Sequence, residues 1–214
     1  MSNTKQRIVV AAAMVAVAGL AALGEYFGIH LVRFLGIAIV VAMIAEYIVQ
    51  LRRAPKDLLI QNQLVFAGFA LLLLFMLLSA NAVFARPWIV LLLFMIICGA
   101  DVGAWFFGRL IGGDKMWERL SSGKTWSGQI AGILCGTFAA VMYGLLGADT
   151  FMPQLLWIGI GVSLLSQYGD LTASWIKRKL GIKDFGTILP GHGGIIDRFD
   201  GWIYVLPIIW FIML

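Results

Sequence analysis

Between Ser166 and Gly201 an otherwise apolar chain sets Asp170, Asp184, Asp197 and Asp200 among Lys177, Arg178, Lys179, Lys183 and Arg198, together with His192 and several glycines. Carboxylates offer oxygen ligands to a hard cation such as Mg²⁺, and lysines and arginines pair with phosphate oxygens. Glycines allow positive φ and let backbone amides approach an anion closely. On a helix running from Ser166, the residues Ser166, Asp170, Ser174 and Lys177 recur at three- and four-residue intervals and share one face, with Arg178 beside it. The run Leu189–Gly194 (LPGHGG) predicts a tight turn containing His192, Gly193 and Gly194, and Asp197, Arg198 and Asp200 follow directly as acids beside a base.

The elements that must position these residues are hydrophobic. With 61% hydrophobic and 13% charged residues, the composition excludes an ordinary soluble domain. Apolar segments run over Ile8–Leu23, Phe34–Leu51, Leu64–Phe84, Trp88–Gly108, Gln129–Gly147, Leu155–Ala173 and Trp202–Leu214, predicting an all-α polytopic membrane protein of about seven transmembrane helices. With the N-terminus cytoplasmic, only Arg33 and Arg86 face outward and every other lysine and arginine lies inside; positive loops stay cytoplasmic. The first segment is read as a retained helix, because no small-residue cleavage pattern follows it. The last is short for a crossing and contains Pro207.

Two regions are expected. Residues 1–87 hold N-terminal transmembrane helices; residues 88–214 hold the catalytic transmembrane region with cytoplasmic loops 109–128 and 174–201. Cys98 and Cys135 fall within apolar spans and read as packing residues rather than a disulfide or metal site. The net charge of +5 suits anionic lipid head groups at the cytoplasmic face, and nucleic acid is not needed to explain it. Ionisable groups are costly within spans and mark function when they occur. Asp101 and Asp170 are the acids singled out, both toward the cytoplasmic ends of their helices; Glu46, with no motif around it, is read as structural.

These motifs carry a resemblance. The segment Ser174–Asp200, with Lys177 and Arg178, Lys183 and Asp184, LPGHGG at Leu189–Gly194 and DRFD at Asp197–Asp200, resembles the signature of the phosphatidate cytidylyltransferase (CDP-diacylglycerol synthase) family. SQYGD at Ser166–Asp170, DVGAWFFGR at Asp101–Arg109 and KTW at Lys124–Trp126 are similar to further family motifs in the same order. The resemblance covers roughly the C-terminal 120 residues. Two departures stand out: Ser121, Ser122 and Gly123 precede Lys124 where the family commonly carries a proline, and Ser127 follows Trp126 where it carries a glutamate.

The resemblance implies transfer of a cytidylyl group from CTP to phosphatidic acid, with release of pyrophosphate, at the cytoplasmic face of a bacterial inner membrane. It implies Mg²⁺ held by Asp170, Asp197 and Asp200. It places Asp170, Asp197, Lys177, Arg178, His192 and Arg198 in the chemistry, and Asp101, Lys124, Ser174, Lys183, Asp184, Gly193 and Gly194 in the nucleotide site. Membrane lipids are partners, and a homodimer is left open. The nearest rivals are a CTP-dependent polyprenol or phytol kinase, which the Lys183–Asp200 signature disfavours, and an ion-coupled transporter, which would carry polar groups through the full membrane depth. The DxxDG of Asp197–Gly201 is similar to the start of a CDP-alcohol phosphotransferase motif but lacks its later aspartates.

Overall fold

The computed structural model describes residues 16, 19–20, 24–25, 27–118, 120–148, 153–188 and 193–214, and within them the chain is mostly helical. In order the elements are α1 (Leu31–Arg53), α2 (Lys56–Gln61), α3 (Gln63–Phe84), α4 (Pro87–Ile111), β1 (Lys115–Trp117), β2 (Ser121–Thr125), α5 (Trp126–Ala148), α6 (Gln154–Lys179), α7 (Ile196–Phe199) and α8 (Trp202–Ile212). Among the described residues four helices, α1, α3, α4 and α5, are long and apolar enough to cross a membrane. Helix α3 illustrates why: it buries Phe69, Leu73 and Met76 yet exposes Leu71, Leu74, Phe75 and Leu78, and a helix apolar all round belongs in lipid or a large core.

Six of the seven apolar segments read from the sequence coincide with helices, and Ile8–Leu23 lies largely outside the described residues. Helix α8 spans only 11 residues around Pro207, about 16 Å at the usual rise against a hydrocarbon core of roughly 30 Å. The all-α expectation needs one exception. Within the 109–128 loop, β1 and β2 pair antiparallel, with Lys115 opposite Thr125 and Trp117 opposite Ser121. A run of charges and glycines gives no two-residue alternation, so the hairpin was not legible as strands.

The chain forms two compact units, one comprising residues up to Pro87 with Trp175–Leu214, the other Trp88–Ser174. In the first, α3 packs on α1 and α8. Tyr47, Phe69 and Phe185 form its aromatic centre: Phe69 and Phe185 stack at 6.1 Å, and Tyr47 meets Phe69 edge-on at 5.0 Å. The Tyr47 hydroxyl donates to the Phe66 carbonyl at 2.9 Å, so its buried polar tip is satisfied. Gly36 leaves room for the Phe84 ring, which in turn lies 6.1 Å from the Trp202 ring.

The second unit is built on small residues. Gly128, Gly132 and Gly136 recur every fourth residue along α5, and a Cβ on each would come within 2.8, 2.8 and 2.9 Å of the carbonyl oxygens of Ala104, Ala100 and Ile96 on α4. Such a small-residue ridge lets two membrane helices approach backbone to backbone, where packing rather than water exclusion drives association. Gly132→Ala therefore forces a backbone shift and destabilises by about 1–3 kcal/mol. Gly68→Ala on α3, where a Cβ meets nothing within 4 Å, has no such cost and removes a helix glycine worth about 0.5–1 kcal/mol. Thermal unfolding in detergent should lower the midpoint for the first variant and hold or raise it for the second.

Candidate active site

In the first unit the polar signature begins where α6 stops. Gly181 takes φ +70°, the Gly181 amide donates to the Arg178 carbonyl at 3.2 Å, and the Ile182 amide reaches back to the Lys177 carbonyl at 3.0 Å. This pair of bonds about a left-handed glycine is the Schellman ending of a helix. It turns the chain sharply after Lys177 and Arg178, and an Arg178 guanidinium nitrogen donates to the Ile182 carbonyl at 3.2 Å.

The chain then folds around Asp197. Lys177 Nζ donates to Asp197 Oδ1 at 2.8 Å, while the amides of Phe185 and Gly194 donate to Asp197 Oδ2 at 2.8 and 3.0 Å. One carboxylate thus ties the end of α6, the Lys183–Phe185 stretch and the start of α7. Phe185, fully buried against Tyr47 and Phe69, seats this arrangement in the core. Gly193 sits at φ +87°, and a Cβ there would lie 3.2 Å from Asp197 Oδ2, so both conformation and space favour glycine.

Helix α1 supplies a support that the sequence did not advertise. Glu46 is buried, its Oε2 accepts from the Ile196 amide at 2.9 Å, and four residues on, the Gln50 side-chain amide donates to the Phe185 carbonyl. A Cβ on either Gly186 or Gly194 would overlap the Glu46 carboxylate. The reading of Glu46 as structural holds only in the sense that it supports the signature loop itself. An acid four residues before a glutamine on one helix face was the available signal.

In the second unit a separate cluster forms around Asp170. Lys124 Nζ lies 2.5 Å from Asp170 Oδ2, Ser174 Oγ is 3.4 Å from Asp170 Oδ1, and Asp101 is within electrostatic reach of both Asp170 and Lys124. Asp101 is exposed on α4, where Arg109 is the other charged residue of a helix apolar enough to cross a membrane, the setting in which a carboxylate marks a polar site. The hairpin delivers Lys124. Thr125 Oγ1 accepts from the Gly128 amide at 3.2 Å, the N-cap bond that starts α5. Ser127 bonds Thr125 Oγ1 at 3.0 Å and donates to the Gly112 carbonyl. Gly112 and Gly113 both take positive φ, closing the turn that leads into β1. The serine that departs from the expected glutamate is therefore a tie between the hairpin and the turn before it.

Of the remaining expected site residues, Lys183, Asp184 and Arg198 are exposed, and Asp200 accepts from the Gly201 amide at 2.9 Å. His192 lies outside the described residues, as do Leu189, Pro190 and Gly191. Among the described residues no group of three or more His, Cys, Asp or Glu side chains is gathered closely enough to hold a metal ion by itself. Asp101 and Asp170 with Lys124 form one polar cluster; Lys177, Asp197 and Gly194 form the other.

The profile of the cytidylyltransferase family matches residues 1–214. The chain belongs to the cytidylyltransferase family. Among curated proteins this family member is 44% identical over 121 residues to a phosphatidate cytidylyltransferase of Staphylococcus epidermidis, covering 56% of this chain and 46% of that one. It is 43% identical over 144 residues to one of Brucella suis, covering 65% and 51%, and 42% identical over 121 residues to one of Staphylococcus saprophyticus, covering 56% and 46%. The chain thus spans about half the length of the curated relatives it matches. Both clusters, the one around Asp170 and the one around Asp197, lie within the stretches read as family motifs, whereas Glu46 and Gln50 of this cytidylyltransferase-family chain lie outside them.

Proposed function

We propose that this protein is an integral-membrane phosphatidate cytidylyltransferase. The observation that carries the reading is the family match across the whole chain; the two acid–lysine clusters supply the matching chemistry. A phosphate oxygen of phosphatidic acid attacks the α-phosphorus of CTP, the bond from that phosphorus to the bridging oxygen of the β-phosphate breaks, and pyrophosphate leaves. The nucleophile is already anionic at neutral pH, so the chain needs no strong general base; it needs to hold two anions together and neutralise them. Lys124, Lys177, Arg178 and Arg198 meet phosphate charge, Lys183, Asp184, Gly193 and Gly194 help bind the nucleotide, Ser174 donates a hydrogen bond, and His192 contacts phosphate or the leaving group.

The acids fit a divalent cation in a specific sense. Asp170, with Lys124 on one oxygen and Asp101 nearby, is the kind of sparse carboxylate set that Mg²⁺ accepts when waters and substrate phosphates complete its shell. When bound, the cation supplies Lewis-acid neutralisation of the triphosphate. Asp197 as it stands holds Lys177 and two backbone amides, using most of the acceptor positions of a carboxylate; it and Asp200 join the metal set on the strength of the family signature.

In this reading the chain crosses the membrane about seven times from a cytoplasmic N-terminus, and the chemistry sits at the cytoplasmic face of a bacterial inner membrane. The lysines and arginines support that orientation. The test is incubation of purified protein in mixed micelles with phosphatidic acid, CTP and Mg²⁺, followed by mass spectrometry of the lipid fraction. CDP-diacylglycerol that forms with phosphatidic acid and not with diacylglycerol is the expected result; a folded preparation that forms none overturns the reading.

A further inference from the structure

We propose that Glu46 and Gln50, on a helix remote in sequence from every motif, are positioning residues that hold Phe185, Gly194 and Ile196, and with them Asp197 and Lys177, in working geometry. This rests on the cytidylyltransferase reading for its kinetic consequence, but its structural content stands alone.

Four observations converge. Glu46 is only 5% exposed and accepts from the Ile196 amide at 2.9 Å. Its carboxylate occupies the space that side chains on Gly186 and Gly194 would need, so both of these glycines lie against Glu46. Gln50, one turn along α1, takes the Phe185 carbonyl, while the Phe185 amide goes to Asp197. The same peptide stretch is therefore held by α1 from one side and by Asp197 from the other, and the Gly194 amide, adjacent to the Glu46 contact, also bonds Asp197.

A buried carboxylate is costly, and a helix that needed only to pack would carry leucine there. Glu46 Oε1 has no hydrogen-bond partner among the described residues, so the acid is not kept for a saturated network of its own. What its position accomplishes is to bond the Ile196 amide at the start of α7, directly beside Asp197. Small displacements of aligned groups are expensive in catalysis, about a hundredfold for roughly 1 Å. Loss of the α1 anchor therefore acts through Asp197 and Lys177 rather than through any contact of Glu46 with substrate.

The experiment compares the full chain with Glu46→Ala and Glu46→Gln by cytidylyl-transfer kinetics and by backbone hydrogen exchange in detergent. Glutamine keeps an oxygen for the Ile196 amide; alanine keeps nothing. For Glu46→Ala, kcat is expected to fall at least about tenfold while KM for CTP changes less than about threefold. Exchange should speed up about tenfold in residues 185–199 and stay unchanged in α1 and α3. Glu46→Gln should recover most of both. Unchanged kcat and exchange in Glu46→Ala overturn the inference and leave the enzymatic reading intact. Exchange that rises equally across α1, α3 and 185–199 marks Glu46 as a fold residue only and also overturns it. If the parent protein transfers no cytidylyl group, the enzymatic reading fails, and localised exchange still decides whether Glu46 anchors the segment.

Discussion

Asp197→Asn should lower cytidylyl transfer by at least about a hundredfold and, unlike most active-site substitutions, should also lower stability by about 3–5 kcal/mol. The reason lies in how the carboxylate is used. Asp197 and Lys177 side chains are 7% and 11% exposed and 2.8 Å apart, so the pair is largely out of water. Asparagine is nearly isosteric but offers one acceptor oxygen in place of two; it can keep the Phe185 and Gly194 amides or face Lys177, and cannot do both. Either choice leaves a buried donor or a buried ammonium unpaired, which costs more than the original bond contributed. Activity and thermal midpoint, measured on the same preparation, should fall together. Full retention of either would show that the pair does not organise the segment as described.

Lys124→Ala should separate those two quantities. Its partner Asp170 is 39% exposed and Lys124 itself 25% exposed, a setting where ion pairs contribute about 0–1 kcal/mol. Stability should hardly move. In the proposed role Lys124 meets phosphate charge, so its removal should cost about a hundredfold or more in kcat/KM, while the hairpin that carries it stays capped through Thr125 and Ser127. A kinetic loss with an unchanged melting curve is the expected outcome. A lowered midpoint with normal kinetics would place Lys124 in the fold instead.

The contrast between these two lysines shows what was legible in the sequence. Apolar runs of bilayer length announce helices from composition alone, and α1, α3, α4 and α5 follow them closely. The helical spacing of Asp170 and Ser174 correctly placed them together, since i and i+4 neighbours meet on any helix. What a linear reading could not supply was long-range pairing. Nothing in the residues around Glu46 or Gln50 points to Ile196 or Phe185, which lie far along the chain. The sequence points to Gly194 as a turn glycine valued for its conformational freedom, but in the fold Gly194 serves chiefly to admit the Glu46 carboxylate, as Gly186 does. The β1–β2 hairpin likewise depends on turn glycines at 112 and 113 and on side-chain ties from Ser127 rather than on alternation.

The most direct test of the central claim is the fate of each phosphate of CTP. Purified protein is given phosphatidic acid, Mg²⁺ and CTP labelled at either the α- or the γ-phosphorus, and the lipid phase is counted. Cytidylyl transfer carries α-label into lipid and leaves γ-label in water as pyrophosphate, and that is the predicted result. Lipid that takes up γ-label and no α-label would mean phosphoryl transfer by a kinase, and would contradict the account.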